Sequence, residues 1–155
     1  MTLNQKSDGI YVDDSFNHVE FDSLIFDCDG VLIDITKSYD KTIIITTKYV
    51  LESLVKIHDS IDVDFKIIDG FKSTGGFNDE VDLTYAVILS LVAANKLKQD
   101  PIKFIFTVIQ NSDSTGIKSV ENFLKKQTDI SEIIDMLSYP GSHKENILYQ
   151  IFDQL

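Results

Sequence analysis

The chain has 155 residues, 43% of them hydrophobic, and a formal net charge of −11 at pH 7. This length and apolar content predict one domain with enough material for a core. The strong negative charge repels a phosphate backbone, so we expect no nucleic-acid partner. A single cysteine excludes an intrachain disulfide and favours a cytoplasmic location. We find neither a basic-then-apolar leader nor an apolar stretch of membrane-spanning length, and therefore expect no membrane partner.

Residues 1–20 are rich in Ser, Asn and Asp, a composition that predicts a loosely held polar leader. Within them, Ile10-Tyr11-Val12 is followed by the acidic pair Asp13 and Asp14. An acidic pair after a strand is also typical of phospho-receiver domains. No isolated acceptor aspartate and no later lysine can be placed to complete such a site, so we expect a short strand or a solvated turn.

The most informative segment runs from Leu24 to Leu32, where an apolar run ends in Asp27, Asp29 and Gly30. A short apolar run predicts a buried strand, and the glycine allows a sharp turn after it. Both aspartates would then lie at the carboxyl edge of the strand, where open α/β sheets place their ligands. An acidic pair there is costly without a cation, which favours Mg²⁺ and chemistry on a phosphate. The alternative is a solvated turn, since Asp and Gly are both favoured in turns.

Apolar spacing predicts a mostly helical chain after this segment. Residues 38–57 carry apolar side chains at helical spacing, although the β-branched run Ile43-Ile44-Ile45 favours a strand. Residues 64–71 form a predicted short helix that ends at or shortly after Gly70. Residues 72–78 are a loop by composition.

Caps and chain breakers divide the second half of the sequence. A helix with an apolar body over 81–97 is predicted, with Asn78 or Asp79 as its cap. Asp100-Pro101 breaks the chain, and residues 102–109 suit a strand or a buried helix equally well by periodicity. The remaining predicted features are a helix over 116–126, helix starts at the capping-box sequences Asp129–Glu132 and Ser142–Glu145, and a turn at Tyr139-Pro140-Gly141.

The pattern Phe26-Asp27-Cys28-Asp29-Gly30-Val31-Leu32-Ile33-Asp34 resembles the first motif of the haloacid dehalogenase (HAD) superfamily, in particular its phosphatases with an inserted helical cap. The resemblance implies an α/β, HAD-like core represented here by its first strand. The inserted cap is mostly α-helical and makes this chain predominantly helical.

The resemblance also implies a role for each carboxylate. Asp27 matches the nucleophile that becomes an aspartyl-phosphate, and Asp29 matches the general acid and base. In the family, Mg²⁺ is held by the carboxylate of the nucleophile, here Asp27, and by the backbone carbonyl at the position of Asp29. Because side chains alternate along a strand, we expect Cys28 to point away from both and to be a buried structural thiol.

Gly75-Gly76-Phe77-Asn78, followed by Asp82-Leu83-Thr84-Tyr85, resembles a cap segment in an archaeal-type subfamily of these phosphatases. In that setting the loop faces the catalytic aspartates and helps to select the substrate, which implies substrate contacts at Lys72, Gly75, Gly76 and Asn78. The residues themselves allow a second interpretation. Paired glycines before a helix start can bring an anion close to unpaired N–H groups, but they also suit an ordinary interhelical turn.

The superfamily's active site also needs a Ser or Thr, a Lys and further acids on later strands. Thr107 superficially resembles the Ser or Thr motif, but no Asp-bearing strand follows it, and the remaining sequence is too short for three strands with crossovers. The expected division is therefore a polar leader over 1–20, the first core strand and catalytic loop over 21–35, and a helical cap region over 36–155.

One parallel strand without neighbours leaves its backbone groups and side chains unpartnered, so we expect Leu24–Phe26 to be exposed unless other polypeptide covers them. The chain could be a fragment, one half of a split enzyme, or a non-catalytic relative. The leading hypothesis is a Mg²⁺-dependent HAD-type phosphatase for a small phosphorylated metabolite, inactive as this chain alone and completed by a second chain or a downstream segment. The competing hypothesis is a non-catalytic helical interaction module.

Overall fold

A computed structural model describes residues 3–8, 10–13, 22–28, 31–34, 36–58, 63–137 and 146–154. The chain divides into two units, Met1–Ile33 and Asp34–Leu155.

The first unit contains an antiparallel hairpin of β1 (Leu3–Ser7) and β2 (Ile10–Asp13). Its register pairs Leu3 with Asp13 and Gln5 with Tyr11, and a shift between Gln5 and Ser7 makes the pairing irregular. β2 decides between the two predictions for this position, a short strand or a solvated turn, in favour of the strand. β1 is not predicted by its sequence, LNQKS, because that sequence lacks an apolar alternation.

Residues 23–28 have no regular secondary structure, so the strand predicted over Leu24–Phe26 is wrong. A parallel strand needs hydrogen-bonding neighbours, and β1 and β2 in the described part of the chain pair only with each other. The three side chains are 74%, 99% and 61% exposed, which confirms that this apolar segment lies uncovered.

The second unit is built from packed helices. In its described part they are α1 (Lys41–Tyr49), α2 (Phe65–Ser73), α3 (Glu80–Leu97), α4 (Pro101–Gln110), α5 (Ile117–Lys125), α6 (Ser131–Leu137) and α7 (Ile147–Phe152). One π-helical stretch, Thr36–Asp40, precedes α1, and a second, Val50–Val55, follows it.

α1 and its two π-helical flanks confirm the helix predicted over 38–57. The β-branched run does not form a strand, because helical spacing buries Ile43 together with Val50 and Leu51. α1 packs against α3 and α7. The second π-helical stretch ends at Lys56, which takes a left-handed conformation with φ at 62°.

α3 is the central helix of the second unit and confirms the prediction over 81–97. The Asp79 carboxylate caps it by accepting hydrogen bonds from the backbone N–H groups of Val81 and Asp82. Every residue from Leu83 to Ala94 is buried, as expected for a helix covered on all sides. α1, α4, α5 and α7 all pack against it.

α4 resolves the ambiguity of residues 102–109 in favour of a helix. The Asp100 carboxylate accepts a hydrogen bond from the backbone N–H of Lys103 at 2.9 Å, and Pro101 occupies the first helical turn. Phe104, Ile105 and Val108 are buried on one face.

α5 and α6 confirm two further predicted helices. Asp129 accepts a hydrogen bond from the backbone N–H of Ser131 at 2.9 Å, at the start of α6. α7 begins after Asn146, whose side chain accepts a hydrogen bond from Leu148 N–H at 2.8 Å. The helix start predicted at Ser142–Glu145 and the turn predicted at Tyr139–Gly141 lie outside the described residues.

The described chain is thus predominantly helical, as predicted. Its sheet is an antiparallel hairpin, and the α/β HAD-like core stays a prediction. Among the described helices, none combines the length and the apolar character needed to span a bilayer.

Candidate functional site

Asp27 lies at the end of the uncovered segment in the first unit. Its side chain is exposed, and its Oδ1 accepts a hydrogen bond from the backbone N–H of Cys28 at 2.8 Å. The predicted acid and base, Asp29, and the predicted turn residue, Gly30, lie outside the described residues. One of the two predicted catalytic carboxylates is therefore described, and it is accessible.

Backbone hydrogen bonds link Cys28 to residues 32 and 33, close to Asp27, the predicted nucleophile. The backbone N–H groups of Leu32 and Ile33 both donate to the carbonyl oxygen of Cys28 at 2.9 Å. The Cys28 thiol itself is free and exposed, so the prediction of a buried thiol is wrong. That prediction depended on a strand packed within a sheet, and the strand is not formed.

Magnesium prefers carboxylate and carbonyl oxygens, and the exposed carboxylate of Asp27 is a donor of that kind. Within the described ranges, no three His, Cys, Asp or Glu side chains converge to hold a metal. These residues supply one suitable ligand rather than a coordination sphere, so the ion at Asp27 and Asp29 stays a prediction.

Lys72, a predicted substrate contact, belongs to the last turn of α2, because that helix continues to Ser73. Its Nζ lies 3.3 Å from Oδ1 of Asp40, a residue that is only 6% exposed. The Lys72 side chain keeps 35% of its surface exposed. A buried carboxylate therefore holds this ammonium group in one place at the surface.

The Gly-Gly loop (residues 74–79) connects α2 to α3 and contains the other predicted substrate contacts. Gly75 has φ at 78° and open space around it, which is the conformation that favours glycine. Phe77 is buried and meets the ring of Phe71 edge-on, with 5.0 Å between the ring centroids. Asn78 is exposed, and Asp79 rather than Asn78 caps α3.

The second glycine of this loop, Gly76, has no room for a side chain. A Cβ there would lie 2.5 Å from the carbonyl oxygen of Asp113 and 2.5 Å from the backbone nitrogen of Gly116. A Cβ at Gly116 would in turn collide with the carbonyl oxygen of Gly76. The backbone at Gly76 therefore closely approaches the backbone of another loop of the chain. The role of Gly76 as a substrate contact stays a prediction.

That partner, the Ser-Thr loop (residues 111–116), connects α4 to α5 and is not identified by sequence reasoning. Asp113 Oδ1 accepts hydrogen bonds from the backbone N–H of Thr115 at 2.8 Å and from its hydroxyl at 2.5 Å, which lowers the pKa of Asp113. The Asp113 N–H donates to Oγ of Ser119 at 3.2 Å. The sequence Asn-Ser-Asp-Ser-Thr-Gly signals a loop, but not its neighbour.

The segment Asp82–Tyr85, which carries part of the resemblance, is largely structural. Leu83, Thr84 and Tyr85 are buried, and the Tyr85 hydroxyl donates to Oε1 of Glu121 at 3.1 Å. Burial, the Glu121 charge and this hydrogen bond raise the pKa of Tyr85. The segment therefore anchors α3 to α5.

A groove of about 290 Å³ lies elsewhere in the helical unit, where Leu54, Val92, Ile133 and Met136 provide apolar lining. Lys96 also lines it and donates to the carbonyl oxygen of Asp129 at 3.1 Å. None of the predicted site residues that the structure describes lines this groove. It is therefore separate from the predicted substrate loop.

No protein family, no curated protein and no solved structure matches the chain.

Proposed function

We propose that the chain is the nucleophile-bearing and substrate-selecting part of a Mg²⁺-dependent HAD-type phosphatase for a small phosphorylated metabolite. The observation that carries the proposal is an uncovered apolar segment that ends in Asp27 and is followed by a helical unit with its own core. The large apolar side chains that flank residues 27–30 are each more than half exposed: Leu24, Ile25, Phe26, Val31, Leu32 and Ile33.

This exposure supports the proposal because strands of parallel sheets are apolar on both faces and are covered on both faces. A segment of that composition is expected to be stable only when other strands and helices pack around it. Polypeptide outside these 155 residues would provide that packing, together with the phosphate-binding hydroxyl, the lysine and the remaining acidic ligand. A cytoplasmic location is part of the proposal and is supported by the single cysteine.

The proposed reaction proceeds in two displacements. A carboxylate oxygen of Asp27 forms a bond to phosphorus while the bond from phosphorus to the substrate oxygen breaks, and Asp29 donates a proton to that leaving oxygen. Asp29 then accepts a proton from water, which attacks the aspartyl-phosphate, releases inorganic phosphate and restores Asp27. Bound at this motif, Mg²⁺ would offset the negative charge of the phosphoryl group.

The first prediction tests the nucleophile. The chain is assayed with p-nitrophenyl phosphate and Mg²⁺, alone and together with the polypeptide encoded directly downstream. We expect turnover in the combined preparation and a loss of at least roughly a thousandfold in Asp27→Asn, because no carboxylate remains to form the intermediate. Asp22→Asn removes an exposed aspartate from the same segment and should leave turnover unchanged.

Two results would contradict the proposal. One is turnover that survives Asp27→Asn. The other is a combined preparation that neither hydrolyses the ester nor acquires a phosphoryl group on Asp27, as measured by mass spectrometry of its peptides.

A non-catalytic helical interaction module is the second candidate. It is favoured by the conformation at Asp27, which lies on an exposed irregular segment rather than at the end of a strand. The second contradictory result above would support this candidate.

A further inference from the structure

The apolar groove of the helical unit lies where three elements meet: the π-helical stretch Val50–Val55, the end of α3, and α6. Each element contributes apolar side chains to it, in that order Leu54 and Val55, Val92, and Ile133 and Met136. π-helical turns are rare in proteins and occur frequently at functional sites. The volume of about 290 Å³ lies at the small end of the range for ligand pockets, about 300 to 1,000 Å³. The groove therefore has the size of a site for a small molecule.

The walls of the groove are fixed by the packing of the helical unit. Val92 and Ile133 are each only 3% exposed. The Lys96 ammonium group donates to the Asp129 carbonyl at 3.1 Å and so joins α3 to the segment that precedes α6. Met136, which is 40% exposed, is the adaptable side chain of the lining. Walls held in this way lose little conformational entropy when a ligand binds.

The charges at the groove are balanced. Among the described residues, the charged side chains that line it are Lys96 and Glu132, whose Nζ and Oε2 lie 3.8 Å apart. On the neighbouring π-helical stretch, Glu52 lies 3.9 Å from Lys48 of α1. An anionic ligand would meet the carboxylate of Glu132 and the net charge of −11, and a cationic ligand would meet the ammonium group of Lys96. The groove therefore favours a neutral ligand.

Asn95 provides the polar group that a neutral ligand requires. It lines the groove, and its carboxamide has no hydrogen-bond partner within the described part of the chain. A carboxamide both donates and accepts hydrogen bonds, so it can pair with a hydroxyl or a carbonyl group. An apolar lining with one such polar group is typical of small-molecule sites.

We infer that this groove binds a small neutral amphiphile, an apolar chain of medium length that bears one hydroxyl or carbonyl group. The chain contacts Leu54, Val92 and Ile133, and its burial provides most of the affinity. The hydroxyl or carbonyl group pairs with Asn95 and sets the orientation of the ligand. This site is independent of the proposed phosphatase activity, because its lining includes none of the predicted site residues that the structure describes.

The second prediction tests the groove by binding. The full ¹⁵N-labelled chain is titrated with n-octanol, and amide shifts are followed by NMR. We expect saturable shifts at Val55, Val92 and Ile133 and at the side-chain amide of Asn95. Octanoate and octylammonium, which have the same chain length, should each bind at least about tenfold more weakly, because each meets a like charge in the groove.

Three variants separate the contributions. Asn95→Ala should weaken binding of n-octanol about fivefold, as for the loss of one neutral hydrogen bond. The matched control is Asn122→Ala, which removes an exposed asparagine on α5 and should leave binding unchanged. Glu132→Gln, at a side chain that is 80% exposed, should leave the affinity for n-octanol unchanged and raise that for octanoate about fivefold.

The inference is overturned if octanoate or octylammonium binds as tightly as n-octanol. It is also overturned by shifts that do not saturate or that lie away from the groove, and by an Asn95→Ala variant that binds n-octanol as tightly as the wild type. An unchanged affinity of Glu132→Gln for octanoate would contradict the selection against charge.

Discussion

Asp82 is a partly buried carboxyl group whose surroundings disfavour its charged form. It lies in the first turn of α3, where the helix dipole favours a carboxylate, yet burial and the nearby Asp79 raise its pKa to about 6. Tyr149 of α7 has its pKa raised by burial and by the charges of Asp79 and Asp82, so α7 lies near this end of α3. Desolvation therefore outweighs the dipole at this position.

The third prediction follows from the sign of that shift. A raised pKa means that the fold binds the Asp82 proton more tightly than the unfolded chain does. The resulting stabilisation is complete below pH 3.8 and is lost as the pH rises to about 6. Urea unfolding at pH 4 and pH 7 should show about 1 kcal/mol of this loss, after allowance for solvent screening.

Asp82→Asn should remove that part of the pH dependence, whereas Asp69→Asn, at an exposed position on α2, should keep the wild-type difference. Equal pH dependence in wild type and Asp82→Asn would show that the carboxyl is not desolvated. Hydrogen bonds lower the pKa values of Asp113 and Asp129. The stabilisation of the fold by these two carboxylates is therefore present at both pH 4 and pH 7 and is lost only as the pH falls further.

At the scale of elements, local chemistry in the sequence identifies most helices. Asp79 caps α3, as its position before an apolar run predicts. Asp100-Pro101 is predicted only as a break in the chain, whereas in the structure Asp100 caps α4 and Pro101 lies in its first turn. Periodicity alone could not separate a helix from a strand over 102–109, because a short apolar run is buried on most sides in either form. Burial of Phe104, Ile105 and Val108 on one face of α4 decides it.

The contact between the Gly-Gly and Ser-Thr loops could not be predicted from the sequence. Gly76 and Gly116 are brought together by the packing of α3 with α4 and α5, which depends on the whole helical unit. The conformation of Leu24–Phe26 could not be predicted either, because it depends on neighbouring strands rather than on local propensity.

The fourth prediction separates strain from close packing in these loops. Gly75→Ala places a side chain on a residue with positive φ but in open space. Gly76→Ala introduces a collision without a positive φ. Gly116→Ala does both, because φ at Gly116 is 61°. Denaturant unfolding should show losses of about 1, 2 and 3 kcal/mol in that order. Equal losses for Gly75→Ala and Gly116→Ala would show that the loops are not in contact.

The whole molecule combines a net charge of −11 with an uncovered apolar segment. Like charges on neighbouring copies repel and oppose association, whereas Leu24, Ile25 and Phe26 favour burial against other polypeptide. The buried apolar core that the structure describes runs from Ile43 to Leu148, and we expect its stability to be independent of this segment.

The fifth prediction concerns that independence. The double substitution Ile25→Ser and Phe26→Ser should lower the fluorescence of a bound hydrophobic dye and leave the thermal unfolding midpoint unchanged, because both side chains are exposed. Ile88→Ser, at a fully buried position of α3, should instead lower the midpoint by several degrees. A lowered midpoint in the double variant would place the segment in the chain's own core.

The exposed thiol of Cys28 allows this segment to be labelled at a single site. It is the chain's single cysteine and adjoins Asp27, so a maleimide-linked dye or spin label attaches to the native sequence at one known position. The thiol should react more slowly with the maleimide when other polypeptide covers the motif. A label at Cys28 also allows distances from the motif to a second labelled molecule to be measured.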